Sequence, residues 1–183
     1  SRSRPELPSC KGAGFSVARR NGLACVMGRA GHDCTLRREE LNMLKGIPAV
    51  LSPDLLKILM EMGHGDELVL ADGNFPKFAH PEHVIRLDGH GIPEILDAIL
   101  RFMPLDSYVE HPAILMEVLP GDPYKPVIWP CYREIGAKYE ADGLRELAID
   151  KFKFYERAKK AYAVVATGET ALYANIILKK GVV

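Results

Sequence analysis

No sign of charge predominates in this chain: 24 Lys and Arg stand against 24 Asp and Glu over 183 residues. Such balance removes the electrostatic footprint expected of a nucleic-acid binder or a protein working on an anionic membrane surface. Long apolar runs are missing as well, the longest falling far short of the roughly 18 residues that a spanning helix needs. Cysteine is scarce, and three of the four (Cys10, Cys25, Cys34) lie within the first 42 residues. With Cys131 alone beyond them, a disulfide framework is not expected, and a reducing, cytoplasmic setting is. No Lys-bearing phosphate loop and no G-x-G-x-x-G fingerprint occurs, which argues against nucleotide binding. No G-x-S-x-G elbow marks a serine nucleophile, and Cys131 has no neighbouring histidine.

What is present is 48% hydrophobic and 26% charged residues, the profile of a globular domain. The composition changes near residue 42. Residues 1–42 hold eight Lys and Arg against four acids, are rich in Gly, Ser and Arg, and show no sustained helical or strand period. They read as a disordered leader or appended tail. Residues 43–183 carry sixteen basic and twenty acidic residues and read as one domain.

Ser52-Pro53-Asp54 is a helix start, with a Ser cap, Pro at the first helical position and an acid near the positive end of the dipole. Leu55, Leu56, Leu59 and Met62 follow at helical spacing up to Gly63. Glu67–Ala71 is a short apolar strand, Val84–Arg86 another, and Ile92–Phe102 a second helix. Ala113–Leu119 reads as a buried strand, Trp129–Ala141 and Phe154–Ala161 as helices, and Tyr162–Ala166 and Asn175–Leu178 as strands. The alternation predicts a three-layer α/β/α domain with a substantially parallel sheet.

Three constellations carry chemistry. In Met62-Gly63-His64-Gly65-Asp66-Glu67 a histidine stands between two glycines at a helix-to-strand junction, where an imidazole can act as acid or base near neutral pH. The same residues also fit a turn histidine capping a helix C-terminus. In Ala71-Asp72-Gly73-Asn74-Phe75-Pro76, Asp72 falls at the carboxyl end of a strand, where open α/β sheets bind ligands. It is placed to orient His64 or accept a substrate hydroxyl, or else to close an Asx turn. In Gly168-Glu169-Thr170 and Tyr173-Ala174-Asn175, neutral donors and acceptors suit a polyhydroxy ligand better than a phosphate, or form a polar strand entry. His80, His83, His90 and His111 invite a metal reading, but a Pro-bearing loop with no second body cysteine is a poor zinc site, and no metal is expected.

These constellations, in this order, resemble the ribose pyranase/L-fucose mutarotase family, and the likeness covers essentially all of 43–183. It is carried by Leu44-Lys45-Gly46-Ile47-Pro48, by Leu51-Ser52-Pro53-Asp54-Leu55-Leu56 and by the His64 motif. Pro104-Leu105-Asp106-Ser107-Tyr108, Phe154-Tyr155-Glu156-Arg157-Ala158 and Ala166–Leu178 continue it. The pattern is closest to the animal fucose mutarotases. The resemblance implies a cofactor-free isomerase that interconverts the α and β anomers of L-fucose, with D-ribose pyranase activity or silent sugar binding as alternatives. It implies a homo-oligomer whose active site lies near a subunit interface. By the same resemblance His64 and Tyr155 are catalytic, and Asp72, Asp106, Met116, Tyr173 and Asn175 bind the sugar. Lys151 is a further sugar-binding residue by the resemblance, standing where the fucose branch usually has Arg, which weakens a bidentate contact there. Ala174 stands where that branch usually has Gly, and the loop Asn74–Arg86 is shorter than in mammalian members.

Overall fold

The computed structural model describes residues 44–183 together with 19–20 and 23–24. The chain divides into a unit of residues 1–43 and a compact unit of residues 44–183. In the first, Arg19–Arg20 (β1) pairs antiparallel with Leu23–Ala24 (β2); the disorder expected of 1–42 otherwise lies outside the described residues.

The second unit begins with helix α1 (Pro53–Glu61), which starts where the capping pattern predicted: Ser52 Oγ accepts the Leu55 N–H at 3.2 Å, and Pro53 needs no partner. Its Leu55, Ile58 and Leu59 face the core. Strand β3 (Glu67–Ala71) follows, then β4 (His83–Leu87), α2 (Ile92–Leu100), β5 (Ala113–Met116) and α3 (Trp129–Tyr139). Next come β6 (Glu146–Ile149), α4 (Lys151–Ala158), β7 (Ala163–Thr167) and β8 (Ile176–Lys179).

Six of these strands form one sheet in the order β4-β7-β3-β8-β5-β6. β3, β4 and β7 run parallel, as do β5 and β6, but β8 is antiparallel to both of its neighbours. The sheet is thus substantially parallel, as expected, with β8 as its one reversed strand. Residues 168–175 join β7 to β8 without a helix, so the chain re-enters the sheet at the end it has just left. That return brings Asn175 beside Asp72.

Both faces of the sheet are covered, which is why β3, β5, β7 and β8 read as unbroken apolar runs. Leu68, Leu70, Leu115, Val165, Ile176 and Leu178 pack with residues of α1, α2 and α3. Their alternates Val69, Ala71, Ile114, Val164 and Ile177 pack against Phe154 and Ala158 of α4. This is the three-layer α/β/α arrangement. Strand β6 escaped the sequence pattern because it is a four-residue edge strand, nowhere fully buried, with no alternation to reveal it.

Candidate functional site

The turn before β3 builds one end of the site. Met62 ends α1 in an extended conformation, Asp66 Oδ2 accepts the Gly63 N–H at 2.7 Å, and Gly65 adopts φ +87°, a region open to glycine. The two glycines eject His64 from the chain, leaving its side chain 46% exposed. Its Nε2 lies 3.2 Å from Oδ1 of Asp106, which is only 2% exposed. The same Oδ1 accepts the Tyr108 N–H at 2.9 Å, and Lys179 Nζ stands 3.7 Å from Oδ2. Burial opposes ionisation of Asp106, but the Tyr108 N–H, His64 and Lys179 outweigh it and hold the carboxyl below its usual range. An ionised carboxylate only accepts, so the bond to Asp106 selects the tautomer with its proton on Nε2, and in that tautomer the Nδ1 lone pair is open. Arg145, at φ +46°, donates to the Asp106 and Val109 carbonyls at 3.0 and 2.8 Å and secures this loop from below.

The carboxyl ends of β3 and β5 build the other. Asn175 Nδ2 donates to Asp72 Oδ2 at 2.7 Å, Asn175 Oδ1 accepts the Asp72 N–H at 2.8 Å, and Asp72 Oδ1 accepts the Asn74 N–H at 2.9 Å. The Asx turn and the binding role are therefore compatible: each carboxylate oxygen retains a lone pair for a ligand hydroxyl. Burial lifts the Asp72 carboxyl above its usual range against the pull of these hydrogen bonds. Tyr155, on α4, meets Phe75 edge-on at 5.7 Å, and burial and then the charge of Asp72 raise its phenol. It stays a proton donor at neutral pH. Lys151 Nζ sits 5.8 Å from the Tyr155 ring, and Met116, buried, is one residue beyond the Leu115–Ile176 pairing.

Tyr173, at φ +57°, donates its hydroxyl to Asp122 Oδ2 at 2.8 Å and stacks on Tyr124 at 5.9 Å. Its carbonyl accepts from Trp129 Nε1 at 2.9 Å, and the Ala174 carbonyl accepts the buried Tyr132 hydroxyl at 2.7 Å. Helix α3 therefore fixes the Tyr173–Asn175 turn. Sequence alone assigns no site role to Trp129, Tyr132, Asp122 or Lys179, because nothing local in the chain ties them to the site. Tyr108 lies two residues from Asp106 in the Pro104–Tyr108 motif, a local signal that does point to the site.

The expected residues thus separate into two groups. His64 and Asp106 lie at the amino end of β3, whereas Asp72, Met116, Lys151, Tyr155, Tyr173 and Asn175 gather at its carboxyl end. Five strand residues, roughly 17 Å, intervene. Asp72 therefore does not orient His64 within one chain, and Asp106 takes that place. Two surface depressions, of about 550 Å³ beside His111 and Arg145 and about 490 Å³ beside His83 and Lys160, are lined by neither His64 nor Asp72. Among the described residues no three His, Cys, Asp or Glu side chains are grouped to hold a metal ion, and no helix is long and apolar enough to cross a membrane.

Comparison with known proteins identifies the family. The family model of the RbsD / FucU transport protein family matches residues 45–183. The human protein named fucose mutarotase is 55% identical over 144 residues, covering 76% of this chain and 94% of that one. The Histophilus somni L-fucose mutarotase is 51% identical over 141 residues, with 76% and 97% covered. The crystal structure of the Streptococcus pneumoniae fucose mutarotase in complex with L-fucose is 57% identical, superposes with a TM-score of 0.72, and covers 76% of this chain and 99% of that one. A Bacillus subtilis RbsD structure complexed with D-ribose, at 24% identity and a TM-score of 0.56, shares the fold alone. The chain belongs to the RbsD / FucU transport protein family.

Proposed function

We propose that the chain interconverts the α and β anomers of L-fucose. It is an isomerase of the sugar mutarotase class. The observation that carries this reading is an imidazole, half in solvent, whose Nε2 is held 3.2 Å from the buried Asp106 carboxylate. Relatives named fucose mutarotases at 51 to 55% identity support it.

The chemistry follows from the groups. His64 Nδ1 takes the proton of the anomeric hydroxyl while the Tyr155 phenol, or a water ordered by Asp72, protonates the ring oxygen. The bond between C1 and the ring oxygen breaks, C1 becomes an aldehyde, and rotation about C1–C2 exposes its other face. The reverse transfers close the ring as the other anomer. One acid and one base suffice. Asp72, Tyr173 and Asn175 hold the sugar hydroxyls, with Met116 and Lys151 beside them.

His64 and Tyr155 stand at opposite ends of β3, so one chain does not bring both to the same sugar. A homo-oligomer in which the His64 end of one copy meets the Asp72 end of the next completes the site, and the single body thiol Cys131, free in this structure, suits a cytoplasmic home. D-ribose is the second substrate to try.

Saturation-transfer NMR on equilibrated L-fucose, with D-ribose in parallel, tests the reading. Irradiating one anomeric proton should transfer to the other with wild type and fail with His64→Ala. Folded protein without transfer on either sugar would reduce the chain to a sugar-binding protein. Mixing inactive His64→Ala and Asp72→Asn chains and allowing subunit exchange should restore up to about a quarter of wild-type exchange, since interfaces with both intact halves form by chance. No recovery would place both halves in one chain.

A further inference from the structure

Tyr108 is a large aromatic left 77% exposed on the end of the sheet that carries His64. Its ring meets the imidazole edge-on, with centroids 5.6 Å apart and planes at 62°. The placement is not loose: the Tyr108 N–H donates to Asp106 Oδ1, the same atom that lies 3.2 Å from His64 Nε2. One buried oxygen thus sets the positions of both the base and the ring. Arg145, bound to the Asp106 and Val109 carbonyls, secures the segment on either side of Tyr108. A fixed aromatic face open to water beside an acid/base residue is organised for a ligand with an apolar side.

L-Fucose has such a side. It is 6-deoxy-L-galactose, and its axial 4-hydroxyl leaves the C–H bonds at C3, C4 and C5 together with the C6 methyl on one face. We infer that Tyr108 is a substrate-contacting, specificity-determining residue: its ring stacks on that apolar face while His64 reaches the anomeric hydroxyl. The inference rests on the mutarotase reading above. The hydroxyl-binding groups at the Asp72 end read the polar edge of the sugar, and Tyr108 reads the face they leave uncovered. D-Arabinopyranose, which presents the same ring hydroxyls without C6, gains less from the ring.

The test is exchange rate against sugar concentration for the full chain, with L-fucose and D-arabinose, in wild type, Tyr108→Phe and Tyr108→Leu. Phe keeps the aromatic face and loses the hydroxyl; Leu keeps apolar bulk and loses the face. Tyr108→Leu should raise KM for L-fucose roughly three- to tenfold with a smaller change in kcat, and raise it less for D-arabinose. Tyr108→Phe should stay within about twofold of wild type. A Leu variant with unchanged KM for L-fucose overturns the inference, as does an equal penalty on the two sugars. A Phe variant as impaired as Leu also overturns it, because the hydroxyl would then be the working group. Absence of exchange in wild type defeats the mutarotase reading itself, whereas active wild type with an indifferent Leu variant defeats only the stacking.

Discussion

The two ends of strand β3 are built by opposite means. At the amino end a cation joins an imidazole and a backbone N–H around a buried carboxylate: Asp106 is held by Lys179, His64 and the Tyr108 N–H, and its burial cost is outweighed. At the carboxyl end the partners are neutral: Asp72 is held by the Asn175 amide and the Asn74 N–H, and its burial cost is not outweighed. The contrast shows that the surroundings of a carboxylate, rather than its identity, decide its role. Asp106, kept ionised, fixes a tautomer; Asp72, kept half-buried and partly satisfied, has capacity left for a ligand.

The comparison breaks most completely at His64. His64→Ala should lower anomer exchange by roughly 10²- to 10⁴-fold while sugar binding, followed by titration calorimetry, stays near wild type. A parallel loss of binding would mean that the ends do not divide the labour. Asp106→Asn comes next: an amide can present either oxygen or nitrogen to the imidazole, so exchange should fall about tenfold or more through kcat, with KM little changed. The same variant tests a pH effect of defined sign. A carboxyl lowered in the folded state stabilises the protein above its unfolded pKa and loses that contribution as pH falls through the folded value. Acid unfolding curves of wild type and Asp106→Asn should therefore converge at low pH.

At the other end, Tyr132→Phe should cost about 1–3 kcal/mol in denaturant unfolding, because it leaves the Ala174 carbonyl without its 2.7 Å donor. It should also weaken L-fucose binding, since Ala174 links Tyr173 to Asn175, while leaving the His64 end intact. Unchanged affinity would show that α3 supports the fold but not the site. The smallest effect is an acid limb in L-fucose affinity. Because burial raises the Asp72 carboxyl, affinity should fall at a higher pH than an ordinary aspartate would give, and Asp72→Asn should abolish that limb. A limb at the ordinary value would mean that the sugar site is wetter than its geometry implies.

Legibility in the sequence followed locality. Ser52-Pro53-Asp54 announced α1 because a capping bond spans three residues, and β3 was readable to its last residue because Leu68 to Ala71, buried on both faces, form an unbroken apolar run. Gly63-His64-Gly65 and Asp72 stood out as chemistry-bearing for the same reason. Contacts between distant segments were not legible. His64 finds Asp106 across 42 residues and Asp72 finds Asn175 across 103, and no spacing rule encodes either. The edge strand β6 and the reversed direction of β8 were equally hidden, being decided by sheet pairing rather than by periodicity.

The sequence by itself determined the layered α/β class, the starts of α1, α2 and α3, the buried strands, and the residue types able to move protons and hold hydroxyls. It did so because capping, apolar periodicity and titration chemistry are local properties. Only the tertiary structure decided that these residues occupy two ends of one sheet, that Asp106 rather than Asp72 partners His64, and that Tyr108 stands beside it. Strand direction and order set those distances, and they emerge only when the whole sheet pairs.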